Sequence, residues 1–129
     1  MSAMSDFLEE KILNHVLSTT AYTMPTAVYV GLSTVSFADN NSGTELSGSS
    51  YARQGDVAFD AAAAGVADNT SNIEFPAASG SWGTVAFWGI FDAASSGNLL
   101  IHGALSSSKT ISTGDILRIS AGDLDVTAA

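Results

Sequence analysis

Trp82–Leu105, WGTVAFWGIFDAASSGNLLIHGAL, is the stretch on which the fold turns. Two apolar runs, Thr84 to Phe91 and Leu99 to Leu105, flank a polar segment from Asp92 to Asn98. That pattern predicts a β-hairpin with a medium-length loop. Alternation along the first arm sets Val85, Phe87, Gly89 and Phe91 on one face and Thr84, Ala86, Trp88 and Ile90 on the other, so both faces are mostly apolar. A strand of that kind is covered on both sides. The hairpin is therefore expected to be scaffold, with its turn and the flanking Trp82 free to meet a partner.

Working outward, residues 5–18 (SDFLEEKILNHVLS) carry the one helical pattern, with Leu8, Ile12 and Val16 on a stripe and Phe7, Leu13 and Leu17 beside it. Asp6 followed by Glu9 resembles a capping box. A single short helix must dock its stripe on something, and its own β domain is the expected partner. After Pro25, strands are expected at Ala27–Ser33, at Tyr51–Phe59 with an interruption at Gly55, and at Thr70–Phe75. Two more are expected at Ile116–Ser120 and Leu124–Thr127, with a further short one at Lys109–Ser112. Residues 34–50 are polar and rich in Gly, Ser and Asn, and residues 60–69 form an Ala-rich link. A structureless loop as long as the first points to a contact surface or a mobile segment. The sum is an N-terminal helix or arm (1–22) and a single β-rich domain (23–129), an antiparallel sandwich or barrel of about seven to eight short strands. The expected core is Phe7, Val28, Val30, Phe59, Phe75, Val85, Phe87, Ile90, Leu99, Ile101, Ile116, Ile119 and Leu124.

Composition narrows the function. The chain has 129 residues, no cysteine and a net charge of −9, with four Lys and Arg against thirteen Asp and Glu. Without cysteine there is no disulfide framework, thiolate metal site or Cys nucleophile. An acidic balance opposes binding to nucleic-acid phosphates and to anionic membrane surfaces. No run approaches the roughly 18 apolar residues of a membrane span, and the N-terminus, with Asp6, Glu9 and Glu10, does not read as a secretory signal. Synthesis in a cytoplasm is the expectation, and the sequons at Asn40 and Asn69 read as chance matches.

Familiar catalytic motifs are missing: neither G-x-S-x-G, H-E-x-x-H, a P-loop nor G-x-G-x-x-G occurs. His15 reads as a solvated helix residue and His102 as lining a strand face, neither with a carboxylate at ligand spacing. Oxygen donors from Asp39 to Glu45 surround a glycine but do not follow the alternation of a calcium loop, so a solvated turn is expected. No catalytic, cofactor or metal residue is assigned, and the chain is read as a non-enzyme. Arg53 and Arg118, the two arginines of an acidic chain, are each expected to have a carboxylate partner. Aromatic and Arg side chains anchor interfaces. The candidate partner contacts are Tyr51, Arg53, Trp82, Asp92 and Asn98, with Phe7, Leu8 and Ile12 from the helix.

At Tyr51-Ala52-Arg53, Ile73-Glu74-Phe75-Pro76, Trp82-Gly83, Gly89-Ile90-Phe91-Asp92-Ala93, Gly97-Asn98-Leu99-Leu100, His102-Gly103-Ala104-Leu105 and Gly114-Asp115, the chain resembles a family of small tailed-bacteriophage proteins labelled as tail-fibre proteins. The resemblance spans nearly the whole chain. It implies a virion structural protein with a β-rich body and carries over no catalytic residue. The chain lacks the repeats, coiled coil and shaft periodicity of a self-sufficient fibre. The leading expectation is a capsid decoration (cement) protein that binds the major capsid protein, or other virion proteins, as a homo-oligomer with a trimer favoured. The alternative is a tail-fibre or tail-associated module that binds a host glycan or another tail protein through Trp82, Trp88 and Tyr51. Residues 5–18 and 34–50 are the expected contacts in the first case.

Overall fold

The computed structural model describes residues 2–42 and 44–128. Their order is β1 (Ser2–Met4), α1 (Asp6–Val16), β2 (Tyr29–Ser33), β3 (Val66–Asp68), β4 (Ile73–Glu74), β5 (Gly83–Phe91), β6 (Leu99–Ile111), β7 (Arg118–Ile119) and β8 (Asp125–Thr127). The protein is mainly β, as the sequence predicts. A four-stranded sheet runs β1-β6-β5-β2, and two ribbons, β3-β8 and β4-β7, accompany it, all antiparallel.

The predicted hairpin is β5 and β6. Its turn closes on one side chain: the Asp92 carboxylate accepts the Asn98 backbone N–H at 2.7 Å and the Asn98 side-chain amide at 2.9 Å. Ser96 and Gly97 both have positive φ there, a conformation the turn needs and glycine adopts without strain.

Alternation along β5 fails at one point. Val85 pairs with Lys109, but Phe87 pairs with Ala104, so a bulge falls between them and β6 carries the extra residues 105–108. A bulge reverses which face the following residues present. Val85 therefore shares the main core with Trp88 and Ile90, while Phe87 and Phe91 turn to the opposite face, against Phe37 and Leu99. The serines at 106–108, expected to end the second arm, are the bulge of one long strand.

Both faces of the sheet are thus covered. The larger core joins Val30, Leu32, Trp88, Ile90 and Leu100 of the sheet to Ile73 and Ile119 of one ribbon and to Leu117 and Leu124. Leu32, Leu117 and Leu124 are essentially inaccessible; each such side chain contributes about 1.5–3 kcal/mol when removed from water.

Two local expectations are corrected. Residues 51–59 form no strand; their backbone pairs with β2 at the isolated Val30–Gln54 bridge and then Phe59 pairs with Asn69. The Ala-rich link forms a turn at Ala63–Val66, with Ala64 and Gly65 at positive φ, that leads into β3. Ile116, placed in the core by the sequence, is 58% exposed, and its neighbour Leu117 is the buried residue.

Helix α1 docks on its own chain. Its cap is Ser5 rather than Asp6: Ser5 Oγ accepts the Leu8 N–H at 3.2 Å and donates to the Leu99 carbonyl at 2.5 Å. The Ser5 N–H also bonds the Leu100 carbonyl, so the helix start is fastened to β6. Leu8 enters the core and Phe7 and Ile12 pack half-buried against it. β1 lies along β6, and Ser2 Oγ donates to the Thr127 carbonyl and accepts the Thr127 N–H, joining the two ends of the described chain. Asn69, one of the sequon residues, is buried, its side chain bonded to Ser71, Ser120 and Leu124 backbone.

Candidate functional site

The densest polar assembly is centred on Arg53. Its Nε and Nη2 donate to the Glu45 carboxylate at 2.7–3.1 Å, and its Nη1 donates to the Ala93 and Ser96 carbonyls, both at 2.8 Å. The guanidinium lies 3.6 Å from the centre of the Phe91 ring, a cation–π contact made stronger by burial of the Arg53 side chain. Tyr51 completes the set, donating its hydroxyl to Glu45 Oε2 at 2.6 Å and accepting the Leu32 N–H at 2.9 Å. Burial first, and then the hydrogen bond to Glu45, push the Tyr51 phenol well above its ordinary value.

Two glycines make room for this assembly. Gly31 and Gly89 are opposite each other in β2 and β5. A Cβ on Gly31 would come within 2.6 Å of Glu45 Oε2 and 3.0 Å of the Tyr51 hydroxyl. The carboxylate can therefore lie directly on the sheet backbone, where only glycine permits so close an approach.

Chemically, the assembly is a clamp. The forked guanidinium joins Glu45, in the long polar loop, to the hairpin turn, so two surface loops are held in one arrangement. Arg53 thus finds the carboxylate partner expected of it. Arg118 stands opposite Glu74 in the register of the β4-β7 ribbon, but the two form no ion pair, so the same expectation is not met for Arg118 among the described residues.

The other predicted contact residues are mostly engaged within the fold. Trp82 is buried, its indole N–H on the Ser49 carbonyl at 3.0 Å and its ring edge-on to Tyr51. Trp88 is buried and donates to the Ala104 carbonyl. Asp92 and Asn98 bond each other, and Leu8 lies in the core. Trp82 stands before β5 and Asp92 and Asn98 beyond its other end, and the contacts of Tyr51 with Trp82 and Glu45, and of Arg53 with Glu45 and the turn, link them as a supporting network rather than as an aromatic platform.

His102 does have a carboxylate, contrary to the sequence reading: its Nε2 lies 2.6 Å from Asp39 Oδ1. Their sequence separation hid the pair. Asp39 goes to His102 and Glu45 to Arg53, so the two acids of the oxygen-rich stretch point to different partners.

A second acidic feature lies on the β3-β8 ribbon, where Asp68 and Asp125 are directly opposite. Asp68 Oδ1 is screened from solvent and has no donor among the described residues. The facing Asp125 side chain, as a hydrogen-bonding neighbour, comes first in raising the Asp68 carboxyl above its ordinary value, with desolvation and the charges of Asp125 and Asp60 acting the same way. An acid with a raised folded-state pKa binds its proton more tightly when folded. Its stabilising contribution is complete below the ordinary value of 3.8 and is lost as pH rises through the raised one. Asp68→Asn should therefore melt higher than the unsubstituted protein at pH 7, and the gap should close as pH falls towards 4. A constant or inverted gap in melts across that range would refute the raised Asp68 carboxyl.

A different surface is apolar. Leu8, Tyr22, Pro25, Val28, Phe59 and Ile101 line much of an open groove of about 260 Å3 between α1, the segment after it and β6. That segment folds back on the helix: the Tyr22 N–H bonds His15 Nδ1 at 3.1 Å, and Thr19 Oγ1 bonds Asn14. Sequence reasoning had no signal for the groove, because residues from seven separate stretches build it.

The model of the family described as Podophage GP4 fiber I protein gp80 matches residues 3–127. The chain belongs to this family. It is therefore a tailed-phage structural protein of the fibre-labelled kind, and the virion is its place. Among curated proteins none matches the chain. The match spans β1 through β8, so helix, clamp and groove all lie within the family's common body.

Proposed function

We propose that this chain is a non-enzymatic component of a podophage fibre apparatus, a small β body that acts through the surfaces it presents to other virion proteins and to copies of itself, a trimer being the favoured form. The family match over residues 3–127 carries the reading, since its description names a fibre protein. The head-decoration role, first of the two expectations from sequence, has no comparable support. The clamp suits either role, because loops that must fit a partner lose less entropy on contact when they are already fixed.

A glycan-binding surface built on Trp82 and Trp88 is not favoured, because both indoles are buried and hydrogen-bonded. Contacts with other tail proteins are the better reading. Gold-labelled antibody and quantitative mass spectrometry of purified particles test it. Label at the tail, with far fewer copies than the shell protein, is expected. Label over the whole head, at copies commensurate with the shell protein, would overturn the fibre role in favour of decoration.

A further inference from the structure

We infer that the outer face of α1 and the segment that follows it, together with the adjoining apolar groove, is the surface through which two copies of this chain associate. Among the described residues six large apolar side chains are exposed, and four of them, Leu13, Val16, Leu17 and Met24, lie on this one stretch, at 59%, 68%, 69% and 82% exposure. The hydrogen bond from Tyr22 to His15 holds the stretch against the helix, and Pro25, next to Met24, lines the groove. Soluble monomers rarely leave apolar side chains this concentrated and this exposed.

Charge identifies the occupant. No Asp, Glu, Lys or Arg occurs from Ile12 to Ala38, in a chain whose net charge is −9. Two copies that met through most of their surface would set acids against acids, at a cost in both affinity and encounter rate. The uncharged stretch lowers that cost, the exposed Glu9 and Glu10 being kept to the part of α1 one turn before Leu13, and charge depletion marks the centre of protein interfaces. A basic partner would gain nothing by choosing the neutral face over the acidic remainder. A second copy of the same chain is the partner that needs it. Met24, unbranched and adaptable, is the side chain suited to fill an apolar groove on a facing molecule.

The inference rests on the reading of the chain as a self-assembling structural protein, but its test needs no virion, so it can fail while the fibre assignment stands. Light scattering after size exclusion, at tens of micromolar, should give a multiple of the single-chain mass for the unsubstituted protein. The double variant V16E/L17E should run as a single chain with an unchanged circular dichroism spectrum. Met24→Glu, outside the helix, should do the same if the helical pair perturbs folding. Ser107→Glu, which adds the same charge at an exposed site on the β6 bulge, should leave the assembly intact. A single-chain mass for the unsubstituted protein, or assembly that survives both V16E/L17E and Met24→Glu, would overturn the inference. If that single-chain protein also co-sediments with particles, the face belongs to a different virion protein.

Discussion

Arg53→Ala should lower the unfolding free energy by about 3–5 kcal/mol, the cost typical of removing one partner from a buried ion pair. That corresponds to a melting temperature lower by ~10–20 °C for a domain of this size. The size of the loss comes from what the truncation leaves behind. Glu45 would be left beside the Gly31 backbone with the Tyr51 hydroxyl as its remaining donor among those described. The Ala93 and Ser96 carbonyls would lose their side-chain donor and Phe91 the group stacked on it. Desolvating an unpaired carboxylate dominates that sum; the two carbonyls can turn to water.

Arg53→Lys separates charge from geometry. An ammonium can neutralise Glu45 but cannot fork to the carboxylate and the turn at once while lying flat on Phe91, so an intermediate loss is expected. Urea denaturation at pH 7 measures both variants. A loss below about 1 kcal/mol for Arg53→Ala would place the pair with ordinary solvated surface bridges and remove the clamp as an account of why the polar loop and the hairpin turn keep one arrangement. A double cycle with Glu45→Ala sharpens the result: because the two groups share one network, the double variant should lose clearly less than the sum of the single ones.

The clamp also shows what could be read from the residues alone. A lone buried arginine in an acidic chain must find a carboxylate, so the existence of a partner for Arg53 followed from charge. The identity of that partner did not, because Glu45 lies in a loop whose path is set by the sheet beneath it. Trp82 illustrates the opposite limit. Residue type marks it equally as an interface anchor or a core residue, and only the arrival of the Ser49 carbonyl at its indole nitrogen decides for the core. The hairpin was legible because its signals are local: two apolar arms and a turn whose Asp and Asn complete each other. The bulge within it was not, since Val85 and Phe87 alternate correctly in sequence and change faces only because β6 inserts residues between their partners. Likewise, the pairing of residues 2–4 with 101–103, and the groove beside it, depend on contacts between distant parts of the chain that no local pattern encodes.

Leu117 and Ile116 offer the second large effect and test the corrected register directly. By sequence either residue could face inward, and a shift of one position exchanges them, because side chains alternate along an extended segment. The structure seals Leu117 completely within the main core and leaves Ile116 more than half exposed. The Leu117 backbone carbonyl accepts the Phe75 N–H at 3.0 Å, tying the segment to the chain after β4 whichever side chain is present. Leu117→Ala should therefore cost about 2–5 kcal/mol through lost burial and the cavity left behind. Ile116→Ala should stay within about 0.5 kcal/mol, as surface changes away from such features do. Equal losses would mean that the segment samples both registers, and a reversed order would mean that the β4-β7 ribbon is slipped by one residue. Because Ile119 of that ribbon packs in the same core as Val85 and Trp88, a slip there would also withdraw Ile119 from the hairpin, and the bulged sheet would lose its cover on that side.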